Sequence, residues 1–176
     1  ALIVSASKGI ETTTLRRMDE VMSGVLSPAQ IAGFTVLSGP SFALEVARGI
    51  PTAVVAASGS PDAALAMQDL FQTEYFRVYT GSDVIGVELG GALKNVIALG
   101  AGVAAGLGGG LNTLAALITR GLAEIRRLGV AMGAQASTFS GLAGMGDLVL
   151  TCTGPLSRNR TVGYRLGQGE ALDDIL

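Results

Sequence analysis

Short apolar runs alternate with amphipathic segments along the first half of the chain. The apolar runs predict β-strands at residues 1–5, 35–37, 53–57 and 76–79. The segments between them predict helices at residues 14–23, 42–48 and 62–72. Such alternation is typical of βαβ units, in which successive strands pair in a parallel sheet. We therefore predict an α/β fold, with ligands bound beyond the carboxyl ends of the strands.

After residue 82 the strand pattern stops and helical patterns replace it. Asp83 is a suitable N-cap for a helix that extends to about Gly106. A further helix is expected over residues 112–128, because apolar side chains recur there at helical spacing. We therefore predict two domains, a partial α/β sheet domain at residues 1–82 and an all-α domain at residues 83–176.

One apolar stretch, residues 96–119, holds no charged side chain and reaches the length of a membrane-spanning helix. Gly106 and the glycines at 108–110 interrupt this stretch, and Asn112 can start a new helix. The sequence therefore predicts two buried helices of a soluble fold rather than a membrane span.

The composition narrows the possible chemistry. The net charge is -2 and no basic run occurs, so a nucleic-acid partner is not expected. The single cysteine, Cys152, excludes an internal disulfide and fits a reducing compartment, and we expect a cytoplasmic protein. Because the chain has no histidine, any proton transfer must use Lys, Asp, Glu, Tyr or Cys.

Lys94 is unusual because it lies in an apolar, glycine-rich run at residues 86–100. An ammonium group is costly to bury unless something binds it. In a helix, Gly90 and Gly91 would leave space beside Lys94 for another backbone or a ligand. Apolar surroundings would lower its pKa from about 10.4, towards the range useful for proton transfer. Two interpretations remain, a lysine that extends along the helix to water and a functional lysine.

Two loops that follow predicted strands carry residues suited to anions. Lys8 lies in the first loop, and Gly39 and Ser41 lie in the second, where Ser41 is the expected N-cap of the following helix. A helix start favours negative charge. A solvated loop lysine and a plain strand-to-helix turn are the alternatives.

The pattern G-x-G-x-x-A at Gly100, Gly102 and Ala105 is also found in dinucleotide-binding folds. The residues that follow offer no second strand ending in an acidic residue. We therefore interpret these glycines as positions where helices pack closely.

Two polar segments near the end of the chain are candidates for chemistry. Residues 141–146 hold too many glycines for a regular helix, so Asp147 is expected on a tight turn. Residues 157–160 combine two arginines with a serine and an asparagine, a donor set that suits phosphate. An exposed polar loop before a helix at residues 161–166 explains this segment equally well.

Six ordered segments together resemble the NAD(P)-dependent glycerol-3-phosphate dehydrogenases, most closely the bacterial type. The matching segments are residues 7–11, 38–43, 90–96, 117–121, 144–148 and 157–160. The resemblance implies a Rossmann-type domain with a parallel sheet, an all-α domain and a substrate cleft between them. It implies hydride exchange between NAD or NADP and C2 of dihydroxyacetone phosphate or sn-glycerol 3-phosphate. This reaction feeds glycerophospholipid synthesis.

The resemblance also implies roles for individual residues. Lys94 would be the proton donor or acceptor, and the residues around the same centre would be Asp147, Asn95, Lys8 and Thr151. The implied substrate contacts are Lys8, Gly39, Ser41, Lys94, Asp147, Ser157, Arg158 and Asn159. The implied cofactor contacts are Lys8, Ala43 and Arg158, and no metal is expected.

The family's glycine-rich dinucleotide fingerprint is not found before Ala1, so we expect this stretch to lack the pyrophosphate site of the cofactor. The alternative function is a non-catalytic phosphometabolite-binding or sensor module that kept the basic segment. Helices rich in small residues also permit a homodimer.

Overall fold

A four-stranded sheet and a set of helices form the two halves of the computed structural model, which describes residues 2–175. The strands are β1 (Ile3–Ser5), β2 (Phe34–Ser38), β3 (Thr52–Ser58) and β4 (Phe76–Gly81), in the spatial order β1-β2-β3-β4. The helices among them are α1 (Met18–Ser23), α2 (Pro28–Ile31), α3 (Ala43–Ala47) and α4 (Pro61–Phe71). Ala1, which begins the first predicted strand, lies outside the described residues.

The strand pairing is mixed, whereas an all-parallel sheet was predicted. β1 and β2 are parallel, β3 and β4 are parallel, and β2 and β3 are antiparallel. A parallel return needs a crossover that runs back along the whole strand. α3 has five residues and spans only about 7 Å, so this helix does not carry the chain back along the whole strand. β1 and β2 still end at the same edge of the sheet because they are parallel.

Helices make up the second half. They are α5 (Val84–Gly106), α6 (Leu111–Ala131), α7 (Asp147–Thr153), α8 (Arg158–Gly167) and α9 (Leu172–Ile175), with a 3-10 turn at Ala136–Ser140 and a π-turn at Leu142–Gly146. Asp83 caps α5 as predicted, because its Oδ1 accepts a hydrogen bond from the Gly86 N–H at 3.0 Å. The change from strands to helices lies near residue 82, and the division into two domains stays a prediction.

α5 is the central helix of the second half and packs against α6, α7 and α8. By length and composition it is apolar enough to cross a membrane, but half of its most apolar 18 residues are buried. Such burial is expected of a core helix. α5 and α6 are separate helices, which confirms the prediction of two helices in place of one long apolar run.

Glycine allows α5 and α8 to approach closely. A Cβ at Gly102 would overlap the carbonyl oxygen of Arg160, and a Cβ at Gly163 would overlap that of Leu99. Of the two glycines in the G-x-G-x-x-A pattern, Gly102 is confirmed as a packing glycine, whereas for Gly100 this interpretation is wrong, because a Cβ there would meet nothing within 4 Å. The crossing places the start of α8 beside α5.

Two local predictions in the first half are wrong. The first helix begins late, at Met18, because the Glu11 carboxylate accepts hydrogen bonds from the backbone of the preceding turn. Ser41 does not cap α3. Phe42 occupies that position, and the Ser41 hydroxyl instead donates to the carbonyl oxygen of Gly39 at 3.2 Å.

Candidate active site

Lys94 lies at the centre of a buried polar cluster. It projects from α5 and is 8% exposed. Its Nζ donates hydrogen bonds to Asp147 Oδ1 at 2.6 Å and to Thr151 Oγ1 at 2.9 Å. Asp147 is 2% exposed, so this is a buried charge pair rather than a lysine that extends to water. The geometry therefore favours the functional interpretation of Lys94.

Lys8 joins this cluster from the α/β half. Its Nζ donates to Asp147 Oδ2 at 2.5 Å, so each carboxylate oxygen of Asp147 binds one ammonium group. The glycines before Lys94 allow this packing. A Cβ at Gly91 would lie 3.4 Å from Lys8 Cγ, and a Cβ at Gly90 would overlap the backbone of the π-turn. The space beside these glycines is therefore filled by Lys8 and a second backbone.

Burial lowers the pKa of Lys94 below its ordinary value. The Asp147 carboxylate acts against this lowering, whereas the positive charge of Lys8 adds to it. An ammonium group with a lowered pKa releases its proton more readily. The arrangement therefore suits a lysine that both donates and accepts a proton.

The π-turn explains how Asp147 reaches this position. Gly144 lies against the backbone of Phe139, and a Cβ there would overlap it. Asp147 is the first residue of α7, and Thr151 follows one turn later on the same face. The prediction that residues 141–146 do not form a regular α-helix is confirmed, but Asp147 begins α7 rather than lying on a tight turn, and α7 itself was not predicted.

A cavity of about 480 Å³ opens beside Lys94 and has the size of a small-molecule site. The predicted site residues that line it are Ser41, Ala43, Lys94, Asn95, Thr151, Ser157, Arg158 and Asn159. Of the other three, Asp147 connects to the cavity through its ion pair with Lys94, and Lys8 connects through its own ion pair with Asp147. Gly39 packs against β3, because a Cβ there would lie 2.9 Å from Val54 Cα. Within residues 2–175, these three are not part of the cavity wall.

The start of α8 forms another part of the wall. Ser157 is its N-cap and is buried, and its hydroxyl accepts a hydrogen bond from the Arg160 N–H at 3.3 Å. α8 therefore begins at Arg158, earlier than predicted. A helix start supplies free N–H groups and the positive end of the helix dipole, and the side chains of Arg158 and Asn159 add further donors. These donors suit a phosphate.

The apolar part of the cavity wall was not predicted. It consists of Phe42, Leu44 and Leu156. Each of these residues adjoins a predicted site residue in the sequence, so its position was a usable signal. The wall thus combines charged donors with apolar surface, as small-molecule sites usually do.

Residues 83–176 match the family described as NAD-dependent glycerol-3-phosphate dehydrogenase C-terminus, and residues 1–64 match the corresponding N-terminus. The chain belongs to this dehydrogenase family. A glycerol-3-phosphate dehydrogenase, named for NAD(P)+, from Geobacter sulfurreducens is 67% identical over 175 residues. That alignment covers 99% of this chain and 52% of the relative. This chain therefore spans about half the length of the curated relatives that it matches.

Solved structures of the dehydrogenase family support the same relationship. The crystal structure of glycerol-3-phosphate dehydrogenase from Coxiella burnetii has a TM-score of 0.91 and 41% sequence identity, and covers 99% of this chain and 53% of that chain. The likeness extends over both halves. It confirms the predicted fold class, a partial Rossmann-type sheet followed by a helical region, and the family resemblance of the six segments.

Proposed function

We propose that this chain carries the proton-transfer and phosphate-binding residues of an enzyme. This enzyme interconverts dihydroxyacetone phosphate and sn-glycerol 3-phosphate with NAD or NADP, and its product feeds glycerophospholipid synthesis. The supporting observation is the buried Lys94–Asp147 pair beside a cavity whose wall also includes the start of α8. The Lys94–Asp147 pair suits proton transfer, and the start of α8 suits the binding of a phosphate. The names of the relatives point to the same reaction.

Lys94 moves the proton at the C2 oxygen. In the reductive direction, hydride addition to C2 leaves negative charge on that oxygen, and the Lys94 ammonium donates a proton to it. In the oxidative direction, the neutral amine accepts this proton. An ammonium group has three donors, and Asp147 and Thr151 use two of them. The third donor is available for the substrate.

Two further residues act on the same centre. Lys8 adds positive charge next to Asp147, which helps to lower the pKa of Lys94. Asn95 follows Lys94 on α5 and lines the cavity, so its amide is suited to bind a substrate hydroxyl.

The substrate phosphate binds at the start of α8. Ser157, Arg158 and Asn159 combine a hydroxyl, a guanidinium and an amide with the free N–H groups of the first helical turn. Ser41 lies on the wall of the same cavity and supplies a further hydroxyl, while Gly39 shapes the loop before it. Binding of the phosphate here leaves the rest of the substrate near Lys94.

The cavity also fits a nicotinamide. Its wall includes the uncharged side chains of Phe42, Ala43 and Leu44, against which a flat ring can pack. We propose that Ala43, Arg158 and Lys8 contact the cofactor. When bound, the nicotinamide supplies or accepts the hydride at C2. The burial of Lys94 limits the access of water to the proton that is transferred.

A non-catalytic binding or sensor module would need the start of α8 but not the buried lysine. A buried ion pair with two lysines on one carboxylate costs desolvation energy that phosphate binding alone does not require. The chain has both the start of α8 and the buried lysine, which favours an enzyme over a binding module.

We further propose a cytoplasmic location, because the implied substrates are soluble metabolites and the chain has a single cysteine, the buried Cys152, as is usual in a reducing compartment. A homodimer is compatible with the exposed apolar side chains of Val96 and Leu99 on α5. Sedimentation of the full-length protein tests this assembly.

Oxidation of NADH or NADPH by the full-length protein with dihydroxyacetone phosphate tests the proposed reaction. We expect turnover, and a kcat/KM for phosphate-free dihydroxyacetone that is lower by about a hundredfold or more, because phosphate binding positions C2. Binding of dihydroxyacetone phosphate without turnover would favour the sensor module instead.

A further inference from the structure

A second buried charge cluster lies on α5, one turn before Gly91. The side chain of Glu88 is 3% exposed, and its Oε1 accepts a hydrogen bond from the Asp19 backbone N–H at 3.0 Å. Its Oε2 lies 3.8 Å from Arg17 Nε and has no hydrogen-bond partner among the described residues. Arg17 also pairs with the Asp19 carboxylate, with 3.1 Å between Nε and Oδ1. The carboxyl group of Glu88 on α5 thus contacts two residues of the α/β half, through a hydrogen bond from Asp19 and the nearby Arg17 guanidinium.

Arg17 is the last residue of the loop that carries Lys8, and Asp19 lies in the first turn of α1 directly after that loop. The loop comprises residues 6–17 and connects β1 to α1. Near its beginning Lys8 is bound to Asp147, and at its end Arg17 is held beside Glu88. The loop is therefore attached at both ends to elements of the helical half.

Hydrogen bonds inside the loop join Glu11, three residues after Lys8, to Arg16, the residue before Arg17. The Glu11 carboxylate accepts from the backbone N–H groups of Thr13 at 3.1 Å and Thr14 at 2.6 Å. The Glu11 N–H donates to the Arg16 carbonyl oxygen at 2.9 Å. The Thr14 hydroxyl and these amides lower the pKa of Glu11 to about 2, so the carboxylate stays ionised. A displacement at the Arg17 end is therefore transmitted towards Lys8.

Glu88 is an unfavourable residue for stability alone. Burial, followed by the neighbouring Asp19 carboxylate, raises the pKa of Glu88 to about 8. A buried carboxyl with one unpartnered oxygen costs free energy that an apolar side chain would not. Its hydrogen bond from the Asp19 N–H is directional, so it fixes a geometry that apolar packing would leave less defined.

We propose that Glu88 is a positioning residue of the active site, because it holds Arg17 and Asp19 and thereby fixes the loop that places Lys8 on Asp147. The kinetic part of this inference rests on the proposed dehydrogenase function. Release of the loop would withdraw the Lys8 charge from Asp147. Loss of Glu88 should then raise the pKa of Lys94, as loss of Lys8 should.

The chain has two lysines, Lys8 and Lys94, which allows a direct test without catalysis. In the full-length protein, trace acylation by acetic anhydride is measured for each lysine across a pH series by peptide mass spectrometry. Glu88→Ala should raise the acylation of Lys8 several-fold. It should also move the midpoint of the pH dependence of Lys94 acylation to higher pH. Glu88→Gln should have a smaller effect, because it keeps the acceptor for the Asp19 N–H.

Asp83→Asn is the matched control. Asp83 caps the same helix, but its Oδ2 accepts from Gln135 and Thr138 rather than from the Lys8 loop. This variant should lower Tm and leave the acylation of both lysines unchanged. A Glu88→Ala protein with a lower Tm and unchanged Lys8 acylation would overturn the proposal. If Glu88→Ala does not fold, the same comparison with Glu88→Gln decides.

Kinetics distinguish this proposal from the proposed function. With an active wild-type enzyme, Glu88→Ala and Lys8→Met should both shift the pH profile of kcat to higher pH. The double variant should be no less active than Lys8→Met alone, because the two residues act in one sequence of contacts. If the losses of activity in Glu88→Ala and Lys8→Met were fully additive in the double variant, the proposal would be overturned. If the wild type has no turnover, the proposed function fails, and acylation of Lys8 alone decides whether Glu88 holds the loop.

Discussion

Lys94 and the start of α8 hold positive charge beside the same cavity in opposite ways. Lys94 is 8% exposed, and Asp147 and Thr151 fix its ammonium group. Arg158 is exposed to solvent, and the first turn of α8 has N–H groups free for a ligand. A buried and fixed group suits proton transfer, whereas an exposed cation suits capture of an anion from water. We therefore expect the lysine to control kcat and α8 to control KM.

Among these variants, Lys94→Ala should have the largest effect on catalysis. We expect kcat to fall by about a hundredfold to ten-thousandfold, because the general acid and base is removed. KM for dihydroxyacetone phosphate should change little, since the start of α8 is intact. Steady-state oxidation of NADH measures both constants. A raised KM with a normal kcat would reverse the roles assigned to the two groups.

Arg158→Ala should instead raise KM for dihydroxyacetone phosphate. The expected increase is about tenfold to a hundredfold, which matches the loss of a hydrogen bond to a charged group. Arg126→Ala removes an exposed arginine of α6 that lines a different cavity, and is the control without an expected effect. At a saturating cofactor concentration, which removes any effect of Arg158 on cofactor binding, the kcat/KM for phosphate-free dihydroxyacetone should be the same in the wild type and in both variants. An equal loss with both substrates would show that Arg158 does not bind the phosphate.

The pH dependence of kcat sharpens the role of the buried lysine. The reductive kcat should fall as the pH rises through the pKa of Lys94, because only the ammonium form donates a proton. The oxidative kcat should rise through the same pKa, because only the neutral form accepts one. Both transitions should lie below the value for free lysine, about 10.4, because burial lowers the pKa of Lys94.

Lys8→Met removes a positive charge near Lys94 and should move both pH transitions upwards. Kinetics over the same pH series in both directions provide the measurement. A downward shift in this variant would contradict the electrostatic account of the cluster.

Two glycines of α5 give the smallest expected effects. Gly100→Ala should increase the free energy of unfolding by up to about 1 kcal/mol, since a Cβ there meets nothing within 4 Å. Gly102→Ala should decrease it by about 1 to 3 kcal/mol, because the added Cβ overlaps the backbone of α8. Gly102→Ala should also raise KM more than it lowers kcat. Urea unfolding and steady-state kinetics measure these changes, and equal stability of the two variants would argue against tight α5–α8 packing.

Features with local signals were predictable from the sequence. The apolar runs marked the strands, Asp83 marked the start of α5, and the glycines at 141–146 marked an irregular turn before Asp147. The antiparallel pairing of β2 with β3 was not predicted, because alternation of strands and helices does not report whether a connection is long enough to cross over.

Contacts between distant residues could not be derived from periodicity. Lys8 and Asp147 are 139 residues apart, and Asp19 and Glu88 are 69 apart. Periodicity shows which residues share one face of a helix, but not which element that face meets. Glu88 has the same signal as Lys94, a charged residue in the apolar run at residues 86–100, but the pattern does not show which partner either residue meets. The roles assigned to the site residues came from the family resemblance rather than from the pattern.

Chemical rescue of the Lys94→Ala enzyme by a small primary amine tests the central claim most directly. The claim is that Lys94 moves the proton at the C2 oxygen. Added methylamine should raise kcat for dihydroxyacetone phosphate in proportion to its concentration, because the amine can occupy the space left beside Asp147 and donate the proton. A Lys94→Ala enzyme that binds the substrate normally but gains no turnover from methylamine would contradict the claim.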